Sequence, residues 1–314
     1  MLMKRIILVL AVLSACVLAQ AQETYLFAQK DTCALYLDIH RPAADMQKPT
    51  IMYVFGGGFV MGARNEAYIL PWFKRLNDNG YPVVAIDYRL GMKGYKMGKG
   101  LIGAAKSVGQ FVQSRQMGVE DVFSAISYLA AHPELGIDVN NMVLAGSSAG
   151  AIISLSCAQA LANGQTEGVP EGFRFKGVMS FAGGLISNNG APSFKAEPCP
   201  LLLLHGTADK AVAYNHYGAF GKGVWGSSYI ASQLKKKGWN CSIWRIKDKR
   251  HDVAAYMNIV WQIEKDFLEK NVIQGIPCSV DALVDDPSLP VWNGWGGMSV
   301  EDMYSGASVI SESK

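Results

Sequence analysis

The feature that most constrains the fold is a sharp turn between two apolar runs. Gly146-Ser147-Ser148-Ala149-Gly150 reads G-x-S-x-G, and apolar residues dominate positions 142–145 before it and 151–155 after it. A buried strand, a tight turn and a buried helix explain this order, and such a turn exposes a serine hydroxyl in a strained position. The pattern predicts Ser148 as a nucleophile for acyl transfer. A serine-rich loop or a helix N-cap is the alternative.

A glycine-rich turn earlier in the chain predicts donors for negative charge. The β-rich run at residues 50–55 ends in Gly56-Gly57-Gly58. Three successive glycines let the backbone turn its N–H groups inward, where they can bind a developing oxyanion. We expect the N–H groups of Gly57, Gly58 and Ala149 to form an oxyanion hole. A flexible turn without this role is the alternative.

An acid and a base follow the serine in the chain. Asp209 lies just past the apolar run 201–204, where a carboxylate can orient an imidazole. His251 follows the β-rich run 242–247, so its position fits a general base that reaches Ser148. Asp248 and Asp252 compete with Asp209 for the role of acid, but Asp252 is adjacent to His251 and poorly placed to reach back to it.

The other histidines fit structural roles better. His40 and His132 precede the serine, and His132 stands before a proline at the expected end of a helix. His216 lies in a Tyr/Gly-rich stretch away from any predicted strand end, and His205 is expected to pack or hydrogen-bond beneath the loop of Asp209.

Strand-like and helix-like runs alternate along most of the chain. The strand-like runs lie at residues 83–87, 142–145, 176–181 and 201–204, and the helix-like runs lie at 119–131, 149–161, 228–237 and 253–268. This alternation predicts an α/β fold, with a mostly parallel central sheet and helices on both faces. The 314 residues, half of them apolar, suffice for one large domain. Sites in such sheets lie at the carboxyl ends of the strands, where Ser148, Asp209 and His251 should converge.

Four motifs, in order, carry a family resemblance. The chain has Phe55-Gly56-Gly57-Gly58-Phe59, Asp87-Tyr88-Arg89-Leu90, the pentapeptide around Ser148, and His205-Gly206-Thr207-Ala208-Asp209. From about residue 25 to 271 it resembles an α/β-hydrolase of the esterase/lipase group related to hormone-sensitive lipase and carboxylesterases. The resemblance implies an α/β-hydrolase catalytic domain over residues 22–272. It favours hydrolysis of carboxylic esters over hydrolysis of peptides.

Two residues depart from the family pattern. Phe55 stands where the family usually has a histidine that braces the glycine loop, so the loop must be held differently here. Ser147 replaces the usual acidic residue within the turn, which is not a member of the triad. The spacing within the pentapeptide selects Ser148 over Ser147 as the nucleophile.

The N-terminus reads as a targeting segment. Lys4 and Arg5 precede an apolar stretch, and Ala19-Gln20-Ala21 fits a cleavage site, so residues 1–21 are expected to be a signal peptide and the protein to be exported to the periplasm or the medium. Leu13-Ser14-Ala15-Cys16 also resembles a lipobox, and an outer-membrane lipoprotein anchored through Cys16 is the alternative. The apolar stretch is too short for an ordinary spanning helix, so we expect no stable membrane insertion.

Composition limits the partners and cofactors. The formal net charge of +3 falls to +1 once Lys4 and Arg5 leave with the signal peptide, which gives no basis for binding nucleic acid. The cysteines that remain are odd in number and lack metal-type spacing, so we expect no metal, and hydrolysis through a triad needs no cofactor. The Gly-rich, lysine-containing stretch 91–110 suits a cap over the site or a solvated loop. Residues 273–314, a Trp/Gly/Pro-containing tail, are expected to pack on the domain or to be partly disordered.

These observations predict a secreted serine esterase that acts on small-molecule or carbohydrate esters. Acetyl or feruloyl groups on sugars are suggested by the expected export and by the tryptophans of the tail. The alternatives are a serine peptidase of the same fold, an acyltransferase, and a non-catalytic binding protein that keeps the fold. The oligomeric state is left open.

Overall fold

A large twisted sheet organises the part of the chain that the structure describes. The computed structural model describes residues 22–31, 33–43, 47–98 and 100–291. Within these ranges nine strands join in the order β1-β2-β4-β3-β5-β6-β8-β11-β12. They are β1 (Glu23–Lys30), β2 (Cys33–His40), β3 (Thr50–Val54), β4 (Val83–Ile86), β5 (Met142–Ser147), β6 (Gly177–Phe181), β8 (Leu201–Gly206), β11 (Cys241–Ile246) and β12 (Asp281–Val284).

The sheet is mostly parallel. β1 pairs antiparallel with β2, and β2 pairs antiparallel with β4, whereas each further neighbouring pair is parallel. The helices that cover it are α1 (Leu70–Asp78), α2 (Gly100–Ala131), α3 (Ala149–Ala162), α4 (Ser227–Lys236) and α5 (Trp261–Phe267). The expected α/β class with a mostly parallel sheet is confirmed.

Two predicted helices have different bounds in the structure. The run 119–131 is only the C-terminal part of α2, which begins at Gly100, so about half of the Gly-rich stretch 91–110 is helical. Packing against α3 outweighs the low helix propensity of glycine, because the missing side chain of Gly118 admits Ile153, to which a Cβ would come within 2.5 Å.

The predicted helix 253–268 is divided. A 3₁₀ turn at His251–Ala255 precedes α5, which continues as the π-helical turn Leu268–Ile273. The division coincides with a tertiary contact, because the carbonyl oxygen of Ala254 accepts a hydrogen bond from the Ser147 hydroxyl at 2.6 Å.

A small second sheet was not predicted from the sequence. It consists of β7 (Gly184–Ser187), β9 (His216–Ala219) and β10 (Lys222–Gly226), paired antiparallel in the order β7-β10-β9. The β9–β10 hairpin follows the loop of Asp209, and the side chains of Tyr217 and Phe220 on it are exposed.

The ends of the chain lie largely outside the described residues. Part of the predicted tail forms β12, which pairs with β11, whereas residues 292–314, with their two tryptophans, are not described. Residues 1–21 of the expected signal peptide, including Cys16, are likewise not described. Among the described helices, none combines the length and the apolar character needed to cross a bilayer.

A buried carboxyl group joins α1 to α5. The indole N–H of Trp72 donates to Oε2 of Glu264 at 2.7 Å, and both side chains are fully buried. Burial raises the pKa of Glu264 well above its usual range. The second oxygen, Oε1, has no hydrogen-bond partner in the described part of the chain.

Candidate active site

Ser148 stands at a strained turn between β5 and α3. Its backbone has φ +51° and ψ −114°, a left-handed region that costs a non-glycine residue on the order of 1–3 kcal/mol. The N–H of Ser148 donates to the carbonyl oxygen of Phe181 at 2.9 Å, and its own carbonyl oxygen accepts from Ile152 at the same distance. These two hydrogen bonds, one to β6 and one within the first turn of α3, therefore hold Ser148 in its strained conformation.

The glycines of the pentapeptide are required by close backbone approach. A Cβ on Gly150 would lie 2.0 Å from the carbonyl oxygen of Val54, and a Cβ on Gly146 would lie 2.3 Å from that of Gly150. No real side chain tolerates such distances, so the G-x-S-x-G spacing follows from close packing within the turn at Gly146 and against β3 at Gly150.

The structure brings the three residues proposed as a triad together. His251 Nε2 lies 2.8 Å from Oγ of Ser148, and His251 Nδ1 lies 2.8 Å from Oδ2 of Asp209. All three side chains are buried, and each follows a strand of the parallel part of the sheet. The separation of 103 residues between Ser148 and His251 is closed by the fold, as expected at the carboxyl ends of parallel strands.

The carboxylate of Asp209 is in contact with two backbone N–H groups and two imidazoles. Oδ1 accepts the N–H groups of Ala211 at 2.8 Å and Val212 at 3.1 Å, and Oδ2 faces His251 and, at 3.2 Å, His205 Nε2. Burial alone would raise the pKa of Asp209, but the charge and hydrogen bonds of the two histidines outweigh it and hold that pKa well below its usual range. Asp209 is therefore an anion throughout the neutral range.

His251 is the group poised to exchange a proton. Burial lowers its pKa, but the negative charge and hydrogen bond of Asp209, together with the charge of Asp252, outweigh burial and raise the pKa above its usual value. A base with a raised pKa takes a proton from a serine hydroxyl more readily than free imidazole does.

The second serine of the turn points elsewhere. The Ser147 hydroxyl donates to the carbonyl oxygen of Ala254, in the 3₁₀ turn that begins at His251. Since this hydroxyl is engaged away from the imidazole, the geometry singles out Ser148 as the hydroxyl that faces His251. The contact also links the turn of Ser148 to the loop of His251.

The glycine loop lies directly beside Ser148. A Cβ on Gly56 would come within 3.3 Å of the Ser148 Cβ, and Gly57 and Gly58 have φ values of +111° and +63°. The Ala149 N–H belongs to the first turn of α3, where N–H groups have no acceptor within the helix. Ala149 therefore follows the serine directly and the glycine loop begins beside it at Gly56, whereas the oxyanion hole formed by Gly57, Gly58 and Ala149 stays a prediction.

Phe55 and Tyr88 hold this loop where the family usually has a histidine. Their rings stack with centroids 4.4 Å apart, and the Tyr88 hydroxyl donates to the carbonyl oxygens of Phe55 at 3.2 Å and Gly56 at 3.4 Å. Phe59 packs edge-on against the same tyrosine. Sequence reasoning did not assign this role to Tyr88, although its Asp-Tyr-Arg-Leu motif was visible.

The Asp-Tyr-Arg-Leu motif has a structural function. Asp87 accepts the N–H of Tyr36 and pairs with Arg64 at 2.7 Å, and Arg89 pairs with the buried Asp121 at 2.9 Å. These contacts tie the end of β4 to β2 and α2, and they place Tyr88 between the two ion pairs.

Comparisons with known proteins agree with the fold. The family model for carboxylesterases matches residues 14–169. Lipase 1 of Geotrichum candidum is 30% identical over 123 residues, which is 38% of this chain, and the chain spans only 21% of that lipase. Esterase 2 of Thermogutta terrifontis phosphoramylated by tabun has a TM-score of 0.57 at 21% identity, over 79% of this chain and 94% of that one. Its propionate-bound form gives 0.56 at 23% identity over the same shares.

The chain has the α/β-hydrolase fold, which it shares with these esterases. The region matched by the family model contains the glycine loop and Ser148 but ends before Asp209 and His251. Those two residues are therefore placed by the geometry of the fold rather than by the family match.

Proposed function

We propose that this hydrolase cleaves carboxylic esters through an acyl-enzyme on Ser148. The observation that carries the proposal is the continuous line from Ser148 Oγ to His251 to Asp209, with both contacts at 2.8 Å. A strained serine turn, a buried imidazole and an anionic carboxylate in this order form the arrangement that activates a serine hydroxyl. The carboxylesterase match and the esterase neighbours favour esters as the substrate class.

The proposed reaction has two halves. His251 Nε2 takes the hydroxyl proton as Ser148 Oγ attacks the ester carbonyl, and the oxyanion forms against the N–H groups of Gly57, Gly58 and Ala149. The imidazolium, stabilised by Asp209, then gives its proton to the leaving alcohol. Water attacks the acyl-enzyme with His251 again as the base, which releases the acid and restores the serine.

Short acyl groups are the proposed substrates. The neighbouring Thermogutta esterase has solved forms with propionate and with butyrate, which are short carboxylates of the kind that ester hydrolysis releases. Acetyl groups on carbohydrates are the more specific proposal, with the bulkier feruloyl group as the alternative, and both are supported by the expected export and the aromatic tail of the sequence.

A substrate panel compared between the wild type and Ser148→Ala tests the proposal. The panel contains nitrophenyl esters of increasing acyl length, acetylated and feruloylated sugars, and dipeptides. We expect turnover of short-chain esters that falls at least about 1,000-fold in Ser148→Ala. Release of amino acids with poor ester turnover would instead indicate a peptidase, and activity confined to long-chain lipids would refute the carbohydrate proposal.

Labelling by paraoxon tests the nucleophile without relying on the choice of ester. A solved form of the Thermogutta esterase is phosphorylated by paraoxon. We expect one adduct on Ser148, none in Ser148→Ala, and retained labelling in Ser147→Ala. Failure of the wild type to label would favour a non-catalytic binding protein.

Export with cleavage after Ala21 is proposed for the same protein. The basic start, apolar stretch and small-residue site of residues 1–21 support it. Intact-mass measurement of the native protein would show an N-terminus at Gln22. A diacylglyceryl adduct on Cys16 would instead establish the lipoprotein alternative.

A further inference from the structure

Asp209 is shared by two buried imidazoles. His205, in β8, is fully buried, and its Nε2 lies 3.2 Å from Asp209 Oδ2, the oxygen that faces His251 Nδ1 at 2.8 Å. The other oxygen, Oδ1, already accepts two backbone N–H groups. His205 and His251 therefore contact the same oxygen of Asp209, Oδ2.

The contacts of His205 settle which of its ring nitrogens donates. Nε2 also lies 3.1 Å from the carbonyl oxygen of Val212, and neither a carbonyl nor a carboxylate can donate, so Nε2 carries a proton. Nδ1 lies 2.8 Å from the hydroxyl of Ser227, which can act as donor or acceptor and also lies 3.3 Å from the carbonyl oxygen of Gly183. In each of these patterns the Nε2 proton is hydrogen-bonded to the carbonyl oxygen of Val212 and also lies beside Oδ2 of Asp209.

The ionisable surroundings of the two rings differ. His205 packs against the ring of Tyr214, with centroids 5.6 Å apart, and the hydroxyl of Tyr214 accepts a hydrogen bond from Arg245. His251 faces Ser148 and Asp209, and the negative charge of Asp252 acts on it as well. Asp209 is the group common to both sets of contacts.

We infer that His205 is a positioning residue that orients Asp209 and weakens its hold on the proton of His251. The inference rests on the proposed function, in which His251 is the base. A donor that stays on Oδ2 withdraws part of the negative charge that would otherwise stabilise the His251 imidazolium. It also prevents the carboxylate from rotating away when His251 changes its protonation state.

Replacement of His205 by glutamine and by leucine separates the donor from the packing. Glutamine can present an N–H near the place of Nε2, whereas leucine fills the space without a donor. We expect His205→Leu to raise the midpoint of the acid limb of kcat/KM by roughly 0.5–1 pH unit and to lower kcat roughly tenfold. His205→Gln should keep the limb near that of the wild type. The exposed His216 provides the control, since His216→Gln should leave the limb unchanged.

A proton NMR titration of the His251 Nδ1–H resonance gives the same midpoint without turnover. A wild type that hydrolyses no ester in the panel refutes the proposed function, while the titration still decides the role of His205. The inference would be overturned by an active His205→Leu enzyme in which the acid limb of kcat/KM and the His251 Nδ1–H resonance have the same midpoints as in the wild type. If the leucine variant does not fold, Ser227→Ala takes its place, with a smaller upward shift expected and an unchanged titration counting against the inference.

Discussion

The hydroxyl of Tyr88 is expected to contribute to catalysis through the glycine loop. Tyr88→Phe keeps the ring that stacks on Phe55 at 4.4 Å and removes only the donor to the carbonyl oxygens of Phe55 and Gly56. A neutral hydrogen bond of this kind contributes about 0.5–1.5 kcal/mol. If that energy holds the loop in the geometry that binds the oxyanion, its loss lowers kcat by roughly 2- to 12-fold with little change in KM.

The matched control is another buried tyrosine of this chain. Tyr81 is fully buried, and its hydroxyl has no hydrogen-bond partner among the described residues, so Tyr81→Phe removes a hydroxyl without removing a hydrogen bond. Both variants are assayed on the best nitrophenyl ester of the wild type, with thermal unfolding measured in parallel. Equal kcat values in Tyr88→Phe and the wild type, or equal losses in both variants, would refute the assignment of Tyr88 to the loop.

Three further predictions concern pH and the buried polar contacts. Because the pKa of His251 is raised, kcat/KM should fall on acidification with a midpoint above about 6.5, and a midpoint below that would contradict the proposed base. Ser147→Ala should lower kcat roughly 5- to 10-fold, since it breaks the bond to Ala254, while paraoxon still labels the nucleophile; an unchanged kcat would show that this link is dispensable. Because its pKa is raised, Glu264 keeps its proton in the folded state at pH values where the unfolded chain ionises it. The free energy of unfolding therefore falls by about 1.4 kcal/mol per pH unit, from the usual carboxyl pKa up to the pKa of the folded state. Glu264→Gln removes this loss, and urea unfolding should show a stabilisation that grows from pH 5 to pH 8; a gain independent of pH would contradict it.

The site is predictable from the sequence where close packing permits only one residue type. The turn around Ser148 is recognisable because Gly146 and Gly150 each face backbone atoms at distances that no side chain permits. The positions of Asp209 and His251 follow from chain order and from the parallel sheet, which places the ends of β8 and β11 side by side. Alternation of strand-like and helix-like runs was enough for the fold class.

The contacts that hold the site could not be predicted in the same way. The Ser147 hydroxyl bonds Ala254 across 107 residues, and the Tyr88 hydroxyl bonds Phe55 across 33 residues. Both acceptors are backbone carbonyl oxygens, so the residue types of the partners do not reveal these contacts in the sequence. The division of the helix after His251 coincides with the first of these contacts. The β9–β10 hairpin was missed because its glycines read as a loop although three strands pair there.

The two departures from the family pattern make the chemistry of this site easier to assign. A histidine is replaced by Phe55 and an acid by Ser147, and each replacement is held by neutral contacts, a ring stack in one case and a hydroxyl–carbonyl bond in the other. The glycine loop therefore contributes no imidazole of its own at position 55, and the turn contributes no carboxylate at position 147. A single acid limb in the pH profile can then be attributed to His251, and the direct contact through which a His205 variant would shift that limb is the shared oxygen of Asp209.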